Sequence, residues 1–91
     1  MVGAFYFAAM SLYYFNLLSP EVQLRYTLNR GTYLASRWEE KSGVNLYHVP
    51  GERGGFFVEL GIEQGQLVVM RSFTSSVPLE DYTHGVQLPE L

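Results

Sequence analysis

Glu59 and Arg71 are the residues in this chain best placed to do chemistry. They lie on two apolar segments joined by a short turn at Gln64-Gly65. A hairpin there brings a carboxylate and a guanidinium onto one face. Such a pair acts as an ion pair at an interface edge or as an anchor for a carboxylate ligand. Phe57 would add a cation–π contact to Arg71. Tyr47, Trp38 and Arg37 join the site only if the neighbouring strands align.

The other reactive side chains read as structure. His48 and His84 are the two histidines, and no serine lies in a nucleophile-elbow sequence. His48 alternates with Tyr47 along a strand and reads as a hydrogen-bonded structural residue. Asp81 and His84, three apart on a short helix, offer a metal two ligands without a third. Pro50-Gly51-Glu52-Arg53-Gly54-Gly55 is glycine-rich, yet it lacks the spacing and lysine of a phosphate loop. A strand follows it, so no helix dipole would face a phosphate. Glu39 and Glu40 point to opposite faces of a strand, and Glu80-Asp81 fall in a first helical turn, where acids complement the dipole. No catalytic residue, metal or cofactor is assigned, and the chain is expected not to be an enzyme.

The positioning elements follow from periodicity and punctuation. Ser19-Pro20-Glu21 starts a helix, with serine as cap, proline in the first turn and an acid at the positive end of the dipole. Leu24 and Leu28 share a face, and Gly31 is expected to stop the helix in the left-handed conformation. The segment before Ser19 reads as another helix, with Phe5, Ala8, Ala9, Leu12 and Phe15 at helical spacing. Thr32 to Glu40 suits a strand, because Gly31 and the β-favouring Thr32-Tyr33 interrupt a helix. The stripe Leu24, Leu28, Gly31, Ala35 and Trp38 keeps the helical alternative open. Val44 to Val49 returns as the next strand, Phe56 to Glu63 alternates most clearly, and Leu67 to Thr74 follows. Pro78 opens a short helix through Tyr82 that Gly85 closes. The expected class is α+β: N-terminal helices packed on a four-stranded antiparallel meander, with a short C-terminal helix. Residues 1–18 form an uncharged apolar segment for packing or interface, and residues 19–91 form a single small domain.

Two registers are open to the last hairpin. A two-residue turn pairs Leu60 with Val69 and Val58 with Arg71, which puts the guanidinium on the apolar face. A three-residue turn pairs Leu60 with Val68 and Val58 with Met70, and is preferred because an unpartnered buried arginine is costly. That register gathers Phe57, Glu59, Leu67, Val69, Arg71 and Phe73 on the second face, the candidate interface or ligand face. One helix cannot cover both faces of the sheet. The N-terminal segment, the C-terminal helix or a second copy must cover the other.

Composition narrows the partners. The 91 residues are 47% hydrophobic and 16% charged, which suits one ordered domain with a modest core. There is no cysteine, so neither disulfides nor thiolate zinc can staple the fold. The net charge of −3 and six dispersed basic residues argue against a nucleic-acid partner. All fifteen charges lie between Glu21 and Glu90, leaving Met1 to Pro20 uncharged with six of the fourteen aromatics. A spanning helix needs about 20 apolar residues. Val2 to Leu18 supplies seventeen, interrupted by Gly3, Ser11 and Asn16 and with no basic residue before them. A core or subunit contact is therefore preferred to lipid, and a cytoplasmic location is favoured.

The order of the Ser19-Pro20-Glu21 helix, Gly31-Thr32-Tyr33-Leu34-Ala35, Arg37-Trp38-Glu39-Glu40, Asn45-Leu46-Tyr47, Phe56-Phe57-Val58-Glu59 and Arg71-Ser72-Phe73 resembles some short bacterial proteins of unknown function. The likeness spans about Ser19 to Leu88 and leaves out the uncharged opening. It implies no activity, cofactor or catalytic residue, and it favours the strand reading of Thr32 to Glu40. The function expected is a non-catalytic module for self-association or for binding a protein partner, as a two-fold homodimer. The alternatives are a small membrane-associated protein anchored by residues 1–18, and a small-ligand-binding domain using Arg71, Glu59 and His48.

Overall fold

A computed structural model describes residues 9–82. Two α-helices, α1 (Leu12–Leu17) and α2 (Pro20–Arg30), precede four strands, β1 (Thr32–Glu39), β2 (Ser42–Val49), β3 (Phe56–Glu63) and β4 (Gln66–Phe73). The strands form one antiparallel sheet in sequence order, and a 3-10 segment, Val77–Tyr82, follows. The class is α+β. The 3-10 segment stands where a short helix opened by Pro78 was expected. Gly85, expected to close it, and the expected helical positions Phe5 and Ala8 lie outside the described residues.

Each helix starts on a serine. The Ser11 hydroxyl accepts from the Tyr14 amide at 3.1 Å, and the Ser19 hydroxyl accepts from the Val22 amide at 3.3 Å. Each bond satisfies an amide that has no partner inside its helix. Gly31 ends α2 with φ −80°, not in the left-handed region. β1 begins at the next residue, so the chain leaves the helix already extended. A β-carbon on Gly31 would lie 2.6 Å from the Thr27 carbonyl oxygen, so glycine is needed there for space. The Gln64-Gly65 turn has two residues, both with positive φ (53° and 78°), as a tight hairpin requires.

The sheet has two covered faces. On the helical face, Phe15 of α1 packs with Val49, Phe56, Val58 and Leu60, joined by Leu24 and Tyr26 of α2. The helices are tied down by polar contacts as well. Gln23 donates to the Phe15 carbonyl, and Ser72 of β4 donates to Asn16. α2 buries Thr27, whose hydroxyl donates to the Gln23 carbonyl, while Leu28 stays half exposed. On the opposite face, Leu34, Ala35, Leu46, Phe57 and Phe73 form a second cluster, closed by Tyr82 and Leu79 of the 3-10 segment. The chain's own C-terminal segment thus covers the second face.

Two β-bulges set which residues share a face. In β1 the register shifts between Tyr33 and Ala35, so the consecutive residues Leu34 and Ala35 are both buried in the second cluster. In the last hairpin the two-residue register holds from Glu63↔Gln66 to Leu60↔Val69, and then shifts by one to Glu59↔Arg71 and Phe57↔Phe73. The preferred three-residue turn is therefore not the one adopted. Met70 is the inserted residue. It lets a tight turn coexist with an arginine kept off the helical face.

Among the described residues no helix is long and apolar enough to cross a membrane. Met10, Leu12, Phe15 and Leu18 of the uncharged opening pack instead against the sheet. Replacing a buried Phe with Ala costs about 3–5 kcal/mol. Phe15→Ala is therefore expected to lower the unfolding free energy by that amount, read as a lower urea midpoint with an unchanged m-value. A midpoint equal to that of the unaltered chain would show that α1 adds nothing to the core.

Candidate functional site

The side chain of Glu59 is 1% exposed at the centre of the second face. β3 places it there, with Leu46 opposite on β2 and Arg71 opposite on β4. An isolated buried carboxylate is strongly disfavoured, so its donors decide whether the fold tolerates it. Arg71 donates through Nε to Oε1 at 2.7 Å. The other oxygen, Oε2, accepts from Arg37 Nε at 3.3 Å and from the Tyr82 hydroxyl at 2.5 Å. Each donor comes from a different part of the chain: β1, β4 and the 3-10 segment.

A second ring of contacts holds the donors. Arg37 also donates through Nη1 to Glu39 at 2.8 Å, and its guanidinium lies 5.6 Å from the centre of the Tyr82 ring. Arg71 approaches Asp81 at 3.8 Å and lies over the Phe73 ring at 5.1 Å. Phe73 in turn stacks on Phe57, with centroids 5.5 Å apart. The cation–π partner of Arg71 is thus Phe73 rather than the expected Phe57, because the bulge sets Arg71 directly opposite Glu59.

Electrostatics follow from this geometry. Burial pushes the Glu59 carboxyl up, but the hydrogen bonds from Arg71, Tyr82 and Arg37 outweigh it and hold the group below the usual carboxylate range. Burial, reinforced by the bond to Glu59, raises the Tyr82 phenol above its ordinary value. The bond to Glu59 raises Arg71, while Arg37 is raised by Glu39 and Glu59 against the opposing effect of burial. A carboxylate held this way is a weak base with both oxygens engaged. A shallow depression of about 270 Å³ over the cluster is lined by Arg37, Glu39, Glu59, Met70, Arg71 and Asp81. Three acids there face two arginines, so no surplus positive charge awaits an acidic ligand.

The six residues expected to share the second face are divided by the Met70 bulge. Phe57, Glu59, Arg71 and Phe73 lie together there, whereas Leu67 and Val69 pack on the helical face with Val58 and Leu60. Of Tyr47, Trp38 and Arg37, only Arg37 reaches the cluster. Tyr47 packs on the helical face against Tyr33, and Trp38 is 77% exposed. His48 Nε2 donates to the Gly54 carbonyl at 2.6 Å, tying β2 to the glycine loop. His84 lies outside the described residues; among the described residues no group of three or more metal-ligating side chains occurs. Sequence reasoning missed Tyr82. Its signal was indirect, since a carboxylate inside an apolar strand needs a donor, and Tyr82 carries a hydroxyl on an aromatic body. Comparison with known protein families, with curated proteins and with solved structures finds no match.

A folded-state pKa below the unfolded one means that the unfolded chain binds the extra proton first. The stability contributed by the Glu59 network is therefore complete above the ordinary carboxylate range and lost as pH falls through the depressed value. Glu59→Gln is expected to remove this part of the acid limb when unfolding free energy is measured between neutral and strongly acid pH. Tyr82→Phe is expected to cost about 1.5–3 kcal/mol, the usual worth of a bond to a charged group. An acid limb unchanged in Glu59→Gln would show that the network does not govern acid stability.

Proposed function

We propose that this chain is a non-catalytic module that works by protein–protein contact, first of all with a second copy of itself. The observation that carries this reading is the apolar surface left over once both cores are closed. Trp38 is 77% exposed, Tyr13 69%, Leu17 66% and Ile62 49%, with Tyr14 and Tyr33 also exposed. The polar interior gives no comparable surplus, because among the described residues every buried side-chain nitrogen or oxygen has a partner. Large apolar groups left in water mark interaction surfaces more often than catalytic ones. The Glu59 cluster fits the same reading as a device that holds the C-terminal segment on the sheet.

Light scattering of the full chain across a dilution series tests the proposal. A mass twice the 10.4 kDa of one chain is expected at the higher concentrations. The mass of a single chain throughout would overturn the self-association reading. Truncation at Ser19 is a poor test, because it removes Phe15 from the core.

A further inference from the structure

The sheet has two outer strands, β1 and β4, and among the described residues no backbone hydrogen bond from another element reaches the outer edge of either. They differ in what they expose: β1 carries Trp38, 77% exposed, near its turn, whereas the exposed large apolar residue of β4 is the bulged Met70, 41% exposed. An open edge of this kind is a template for a further strand. The β1 bulge at Leu34 interrupts the first half of that edge, while Ala35 to Glu39 runs in unbroken register.

We propose that Arg37 to Glu39 pairs with the same three residues of a second copy, antiparallel about a two-fold axis through Trp38, so that two four-stranded sheets become one. The inference rests on the self-association reading and names its surface. The direction in which each backbone group points supports it. The β1–β2 turn has two residues, Glu40 and Lys41, which makes Glu39↔Ser42 the closing hydrogen-bonded pair. Trp38↔Gly43 and Ser36↔Asn45 are then the wide pairs, whose β1 amides and carbonyls point to the open edge.

Charge selects among the registers that this alternation allows. An axis through Arg37 sets two guanidinium groups opposite each other, and one through Glu39 sets two carboxylates opposite each other. An axis through Ser36 sets Trp38 opposite the bulged Leu34. An axis through Trp38 sets Arg37 opposite Glu39 of the second copy, twice, on the face of the Glu59 cluster. The two indoles then meet on the other face. Glu39 has only to exchange its 2.8 Å contact with its own Arg37 for the same contact across the axis. The register also covers Trp38, the most exposed large apolar side chain among the described residues.

The absence of cysteine makes the register directly testable. Residues paired across the axis have α-carbons about 5.5 Å apart, within disulfide range. Trp38→Cys is expected to give a covalent dimer under mild oxidation, read on a non-reducing gel, while Tyr14→Cys is not. A second variant keeps the indole. Glu39→Lys sets a lysine opposite Arg37 of the other copy, twice, and is expected to raise the concentration at which the dimer forms about tenfold in the dilution series. A dimer mass with neither the Trp38→Cys crosslink nor that shift would overturn the edge pairing and leave self-association standing. A monomer mass would overturn both.

Discussion

Burying the carboxylate of Glu59 in the middle of β3 obliges distant parts of the chain to come to it. Three donors converge from β1, β4 and the C-terminal 3-10 segment, and two of them carry a full positive charge. Small domains without a large core usually need a staple, and this chain has no cysteine to make one. Glu59 fills that place with the signs of a metal centre inverted: one buried anion, ringed by cationic and hydroxyl ligands. Taking away one ligand leaves a buried charge less than satisfied, so the segments that supply them are thermodynamically linked.

The same constraint explains the sheet's irregularity. Arg71 must face Glu59, Leu67 and Val69 must face the helices, and a tight turn joins the two strands. Strict alternation cannot meet all three demands over eight residues of β4, because residues of one parity share one face. One inserted residue, Met70, resolves the conflict. Its side chain lies over Gly61, where a β-carbon would come within 2.9 Å of the methionine Cγ.

Much of the architecture was legible in residue order. Ser19-Pro20, the alternation of Phe56 to Glu63 and the turn at Gln64-Gly65 located α2, β3 and the last hairpin, because each is a local signal with a local cause. The Glu59–Arg71 pair was legible too, as a carboxylate and a guanidinium on adjacent apolar strands. The bulges were not, since their cause is the competition between two faces, which appears only when all the partners are known. Tyr82 was hidden for a related reason: it lies 23 residues from Glu59, and no spacing rule links a strand to a later 3-10 turn. The uncharged opening showed that it must be covered, but not where. Phe15 enters the core, while its neighbours Tyr13, Tyr14 and Leu17 remain outside.

Both bulges fall on outer strands, β1 and β4, and none interrupts the β2–β3 pairing. Fibrous aggregation grows by adding one straight strand after another, each newcomer offering the same edge to the next. An inserted residue spoils that repetition, because the pleat changes phase partway along and a long strand laid against it loses step. The residue that keeps Arg71 beside Glu59, and its counterpart in β1, therefore also act as terminators. They leave room for one short pairing and deny the sheet an edge that could propagate.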